Sequence, residues 1–239
     1  MLNLVAALLP AFCLLIYFIK KDAYPEPMSR LLQTFLLGCL TIAPFYFLSD
    51  QLIGLIGPID DPFSWAARLA FLLAAIPEEL LKWTVVWFFC ARLSDFDEPM
   101  DGYVYGATAS LGFAALENIL YVSQGGMELA IARAITAVPA HACFGAIMGH
   151  YIAKAVLTDP NRRGRHLTLS LCLPIGLHGL YNLGPLYNQA LIATTPNPMV
   201  SMPIWPSLLF WTVLIGMTIA VKRMLKSASK DQLTHQGMH

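Results

Sequence analysis

The stretch AAIPEELLKWTVV, residues 74–86, sets Glu78, Glu79 and Lys82 among apolar side chains. It lies inside a longer apolar run, residues 65–91. That run exceeds the roughly 20 residues a helix needs to cross a bilayer, so the three charges read as intramembrane groups. The rest of the chain agrees with a membrane setting. Of its 239 residues, 57% are hydrophobic and 13% are charged, with no net charge. Soluble domains carry about 25% charged residues. The balance gives nucleic acid no basic surface to bind.

Six further apolar stretches can span: residues 2–19, 31–56, 103–123, 128–157, 167–184 and 205–223. The first has no positive charge ahead of it and is followed by Lys20 and Lys21. That is the wrong flank for a cleaved secretory signal, so it reads as a retained helix with its N-terminus outside. Alternate loops then hold Lys20, Lys21, Arg30, Arg92, Lys154, Arg162, Arg163, Arg165, Lys222, Arg223, Lys226 and Lys230, while the opposite set holds Arg68 and Arg133, both near span ends. The positive-inside rule makes the first set cytoplasmic. The expectation is an all-α, polytopic bundle of about seven spans, N-terminus outside and C-terminus cytoplasmic. Residues 1–226 form one membrane domain, and 227–239 read as a polar, disordered cytoplasmic tail. The cysteines Cys13, Cys39, Cys90, Cys143 and Cys172 sit in apolar stretches with no CxxC pair, as small buried hydrophobes do.

Ionisable side chains cost roughly 2.5–3.5 kcal/mol each at a span centre. The third span carries Glu78, Glu79 and Lys82; the fourth, GFAALENILYV (112–122), carries Glu117 and Asn118. The fifth, AVPAHACFGAIMGHY (137–151), carries His141, and the sixth, LPIGLHGLYNLG (173–184), carries His178 and Asn182. At ~1.5 Å per residue, all of these fall in one layer at or just outside the midplane. Glu78 and Lys82 are i and i+4, as are His178 and Asn182, whereas Glu79 points about 100° from Glu78. The small-residue rows Gly102, Gly106, Ser110, Ala114 and Ala137, His141, Gly145, Gly149 let two helices approach closely. Pro77, Pro139 and Pro174 each remove a helical hydrogen bond beside this layer and are expected to kink their spans.

Each residue also has a plainer reading. A single intramembrane histidine can be a hydrogen-bonded packing residue, Glu78–Lys82 a structural ion pair, and Asn118 and Asn182 interhelical glue. Convergence at one depth favours chemistry. Carboxylates and imidazoles beside water suit general acid–base attack on a carbonyl, with an oxyanion held by a histidine or asparagine. HExxH is absent, so a standard zincin site is excluded; His141, His178 and Glu117 could still hold a divalent metal such as zinc. The acidic loop Asp95, Asp97, Glu98, Asp101 reads as solvated charge, with Asp101 capping the fourth helix; a metal-binding or regulatory role is the alternative. Two other functions compete. One is a proton-coupled transporter, since Glu–His chains relay protons; the other is a non-catalytic membrane scaffold.

The ordered set PEELLKW (EExxK), GFAALENILYV (FxxxEN), AVPAHACFGAIMGHY and HGLYN (HxxxN) resembles the PrsW family of intramembrane proteases, within the superfamily of CAAX-prenyl endopeptidases and bacteriocin-immunity proteins. The segments KKDAYPEP (20–27) and DEPMDGYVYGA (97–107) also resemble PrsW sequences, and the likeness covers roughly residues 1–223. It implies a multi-pass endopeptidase of the bacterial inner membrane. It further implies a single-pass membrane protein as substrate, an anti-sigma factor being the best-known case, cleaved near its outer face. It implies catalytic roles for Glu78, Glu79, Glu117, His141, His178 and Asn182, supported by Lys82 and Asn118. Within that likeness a glutamate-activated water is favoured over a metal, with no cofactor.

Overall fold

We analysed a computed structural model, which describes residues 2–195 and 202–236. The described residues are helical, with no strand among them. In chain order the helices are α1 Leu2–Ile19, α2 Met28–Leu40, α3 Ile42–Leu52, α4 Pro62–Ala67, α5 Ile76–Phe88, α6 Pro99–Ile135, α7 Ala137–Leu157, α8 Arg163–Thr194 and α9 Trp205–Gln236. By length and composition, three stretches are apolar enough to cross a membrane: Met28–Leu55, Pro99–Leu157 and Trp205–Leu233.

The core is the α6–α7 pair, surrounded by α1, α2, α8 and α9. The small-residue rows make this possible. A Cβ on Gly102 would strike the Gly149 carbonyl, and one on Gly106 would strike that of Gly145. The two helices therefore run antiparallel with backbones in contact, the register the sequence rows anticipate.

Two departures from regular helix shape the site. Between α4 and α5 the chain forms a π-helical stretch, Arg68–Ala75, so residues 62–88 run as one continuous but rewound helix. Pro77 follows directly, in the first turn of α5. The carbonyl four residues before it, Leu73 O, accepts from Ser49 Oγ at 3.5 Å. Wider π turns often mark functional segments, and here one precedes Glu78 and Glu79. The second departure is Gly126 (φ 68, ψ −157) inside α6. Only glycine adopts that conformation freely, and it folds residues 127–135 back along the preceding turns.

The structure corrects several expectations. The expected 128–157 span is not one helix: Thr136 (φ −121, ψ −75) separates residues up to Ile135 from α7. Pro139 consequently lies in the first turn of α7, where a missing N–H costs nothing, and it produces no kink. Arg133, expected at the outer end of that span, is folded back against Glu117 and Asn118. The tail is not disordered: α9 continues through Gln236, with Ala228 and Gln232 buried; residues 237–239 lie outside the described part. Asp101 is not the N-cap of α6 but its N3 residue, in a capping box with Glu98. The five cysteines are free, as expected, but only Cys90 and Cys143 are buried, and Cys13 and Cys172 are exposed on the outside of the bundle.

Candidate active site

The EExxK motif opens α5. On a helix Glu78, Glu79 and Lys82 stand three and four residues apart, so both carboxylates can reach one ammonium. Lys82 Nζ lies 3.2 Å from Glu78 Oε2 and 2.8 Å from Glu79 Oε1, with Glu79 and Lys82 fully buried. Its third contact is His141 Nδ1 at 2.9 Å. Three acceptors thus take the three N–H bonds of an ammonium. Phe113, first residue of the FxxxEN motif, places its ring under the same ammonium, 4.3 Å from Nζ.

His141 fixes the next link. With Nδ1 accepting from Lys82, the ring proton belongs on Nε2, which faces Glu117 Oε2 at 3.1 Å. His178 stands on the other side of Lys82, its Nδ1 donating to Glu79 Oε1 at 2.8 Å. The two imidazoles lie 5.4 Å apart, edge to face, and Phe144 stacks on His178 at 4.8 Å. Glu79 and Glu117 are each paired with one histidine and one cation. Glu78 has only the longer contact to Lys82.

Arg133 is the residue that motif reasoning missed. Its Nη2 donates to Glu117 Oε2 and its Nε to Asn118 Oδ1, each at 2.7 Å, and its guanidinium lies 4.2 Å from the centre of the Tyr121 ring. It follows Glu117 by sixteen residues, and the turn at Gly126 returns it to that level. The available signal was Gly125–Gly126 between two apolar helical segments, read with an arginine about as far beyond the turn as Glu117 lies before it. Asn118 does what its plainer reading says. Its amide donates to Ala7 O at 2.7 Å and ties α1 to this layer.

A cavity of about 490 Å³ opens onto the cluster. Glu78, Glu117, Arg133, His141, His178 and Asn182 line it, whereas Glu79 and Lys82 do not. Asn182 makes no hydrogen bond within the described residues, and its side chain is part-exposed there. All the expected residues therefore meet in one place, in two ranks. Glu78 faces the cavity, and Glu79 lies behind it with Lys82.

Two groups of side chains come close enough to share a metal ion: Glu78, Glu117 and His141, and Glu78, Glu79 and His178. The expected set of His141, His178 and Glu117 is not one of them, because each histidine is tied to a different glutamate. The donor chemistry of the first group fits a metal poorly: a ligating histidine normally donates its second N–H to an acceptor, but the second nitrogen of His141 faces the Lys82 ammonium. The second group fits better, since His178 has the usual arrangement toward Glu79 and Glu79 Oε2 is buried without a partner.

The comparisons with known proteins bear on this geometry. Proteins named Protease PrsW match over about three quarters of the chain. That of Geobacillus kaustophilus is 46% identical over 178 residues, 74% of this chain and 76% of its own. That of Bacillus subtilis is 40% identical, covering 74% and 79%, and that of Clostridioides difficile is 29% identical, covering 74% and 76%. No solved structure matches the chain. The profile described as PrsW family intramembrane metalloprotease matches residues 26–217, which include every residue of the cluster, so the chain belongs to the PrsW family.

Proposed function

We propose that this protein is an intramembrane endopeptidase that hydrolyses a membrane-anchored protein with a water activated by Glu78. One observation carries the reading: Glu78 is the carboxylate of the EExxK pair that lines the cavity, and it is the least compensated of the cluster. In this reading Glu78 takes a proton from a cavity water as the water oxygen bonds to the peptide carbonyl carbon. The carbonyl electron pair moves onto oxygen, where the Asn182 amide donates to it. His178 Nε2, left as an acceptor, orients the water. Collapse of the tetrahedral intermediate breaks the C–N bond, and the proton on Glu78 passes to the leaving amine. Glu79, Lys82 and His141 are positioning residues that hold His178, Glu78 and Glu117.

The Lys82 ammonium on His141 supports a glutamate-type mechanism over a metal-dependent one. In that mechanism activity survives exhaustive chelation. The charge distribution of the loops supports seven spans in a bacterial inner membrane, N-terminus outside and C-terminus cytoplasmic. Helices α2 and α3 together make one span, and the turn at Gly126 separates two others. The relatives' name supports a protease, and the substrate we propose for it is a single-pass membrane protein of the anti-sigma factor type.

The test is cleavage of a co-reconstituted single-pass membrane protein. Glu78→Gln and His178→Ala should each abolish fragment formation while the protein still inserts. Cleavage by both variants at the wild-type rate would overturn the assignment.

A further inference from the structure

Two acidic segments take no part in the site above: KKDAYPEP between α1 and α2, and DEPMDG leading into α6. They meet far from the cavity. Asp101 precedes Glu117 by sixteen residues, about 24 Å along the helix at the usual rise. There Asp22, Glu98 and Asp101 bring one carboxylate oxygen each within 4.8 Å of one another. Glu26 lines the same small cavity as Glu98 and Asp101.

What distinguishes this cluster from ordinary surface acid is how its oxygens are used. Asp22 Oδ1 accepts from Tyr24 N at 2.9 Å and from Gln232 Nε2 at 2.8 Å. Asp101 Oδ2 accepts from the backbone of Asp97 and Glu98 at 2.8 and 2.7 Å. Each side chain is therefore locked by one oxygen. The other oxygen, Asp22 Oδ2 and Asp101 Oδ1, is buried without a partner, in residues only 7% and 1% exposed. A bare carboxylate oxygen removed from water costs several kcal/mol unless a cation or proton meets it. Glu26, also buried, spends one oxygen on the Tyr105 hydroxyl at 2.7 Å. A cavity of about 230 Å³ lined by Glu26, Asp95, Asp97, Glu98 and Asp101 leads to the group from solvent.

We propose that Asp22, Glu98 and Asp101, with Glu26 beside them, bind one hard divalent cation of the Mg²⁺, Ca²⁺ or Mn²⁺ class. All-oxygen carboxylate ligands select that class over zinc. The site would also be a clamp. Asp22 belongs to the α1–α2 connection and Glu98 and Asp101 to the start of α6. Gln232 of α9 bonds both Asp22 and Glu98 and accepts from Ala23 N at 3.1 Å. One ion there fastens three parts of the chain, independently of the catalytic cavity.

The experiment uses the full chain in detergent, stripped with chelator and titrated with Mn²⁺, free ion being read by electron paramagnetic resonance. Thermal unfolding is followed in parallel with and without Mn²⁺. Wild-type protein should bind one Mn²⁺ and unfold at higher temperature with it. Glu98→Gln and Asp22→Asn should each weaken binding at least about tenfold, as loss of one ligand charge does, and lose the thermal shift, with unchanged helical circular dichroism. Glu78→Gln, in the cavity, should bind as wild type does. Absence of Mn²⁺ binding by wild type would overturn the proposal and leave a shared proton as the counter-charge. So would unchanged binding by folded Glu98→Gln and Asp22→Asn, or binding lost in Glu78→Gln alone, which would put the ion in the cavity.

Discussion

Arg133→Met tests whether the return of the chain at Gly126 serves the site. Methionine keeps most of the side-chain length and removes the guanidinium. Two hydrogen bonds of 2.7 Å disappear, to Glu117 Oε2 and Asn118 Oδ1. Bonds to charged groups are worth about 1.5–3 kcal/mol each, and stripping one partner from a buried ion pair costs about 3–5 kcal/mol. The pair is not wholly dry: the side chains are 13% and 9% exposed and line a cavity, so water replaces part of the loss. A destabilisation of about 2–3 kcal/mol follows, at the lower end of the buried-pair range. Cleavage should fall further, because Glu117 Oε2 also accepts from His141; a drop of about 10–100-fold in kcat corresponds to about 1.4–2.7 kcal/mol of lost positioning.

The measurement is a double-mutant cycle of Arg133→Met and Glu117→Gln in thermal unfolding and in fragment release from a reconstituted substrate. Residues joined by a direct ion pair should couple by about 1–3 kcal/mol. Arg133→Lys should recover only part of either readout, since a point charge cannot serve Glu117 and Asn118 with one planar fork. Additivity within about 0.5 kcal/mol would refute the reasoning, and so would wild-type stability of Arg133→Met.

Three other outcomes are expected. Gly126→Ala should cost about 1–3 kcal/mol, because φ 68 with ψ −157 is a region almost reserved for glycine, and it should lower cleavage as Arg133→Met does; unchanged unfolding temperature and activity would count against the turn. Gly149→Val should prevent α6 and α7 from closing, since even a Cβ strikes the Gly102 carbonyl; overpacking costs about 1–3 kcal/mol or more, and the check is yield and monodispersity in detergent. Glu79→Gln should destabilise the protein by more than Glu78→Gln, because it strips a charge from both Lys82 and His178, about 3–5 kcal/mol for a broken buried pair. Equal melting curves would contradict that ranking.

Much of the site was legible because its parts obey local periodicity. EExxK puts two carboxylates within reach of one lysine by helical spacing alone. The glycine rows that bring Glu117 to His141 are visible as four-residue repeats. Depth counting put the charged layer together because each member sits inside its own apolar run. What periodicity cannot show is a reversal inside a helix or a choice between adjacent side chains. Arg133 looks like a charge at a span end until Gly126 is known to turn the chain. The ranks of Glu78 and Glu79 depend on which carboxylate meets the cavity, and the π-helical rewinding at Arg68–Ala75 resets the rotation of α5 just before them. The tail misled for a different reason. Polar residues beyond Ser227 suggest disorder by composition, but Gln232 finds carboxylates on two other segments, buried Asp22 and half-buried Glu98.

The two charged layers solve one electrostatic problem in different ways. Around the cavity, three carboxylates (Glu78, Glu79 and Glu117) face two cations, Lys82 and Arg133. Lys82 comes from the same helix turn as its partners, so local sequence supplies it. Arg133 has to be carried back by a hairpin, and Asn118 then ties its guanidinium to α1. The three negative charges exceed the two positive ones by one. In a low-dielectric setting that surplus is costly wherever it is sealed from water. The arrangement puts it where water can reach, because Glu79 and Glu117 each have a cation within 2.8 Å, while Glu78 shares Lys82 at the longer distance and borders the cavity. The same compensation that lets the cluster fold thus leaves one carboxylate, Glu78, at the cavity without a cation of its own, as the proposed mechanism requires of its base. Arg133→Met would raise the surplus to two, and the second unmatched charge would be Glu117. That is why its effect should reach both folding and cleavage, and why Glu117→Gln, which lowers the surplus again, should partly suppress it.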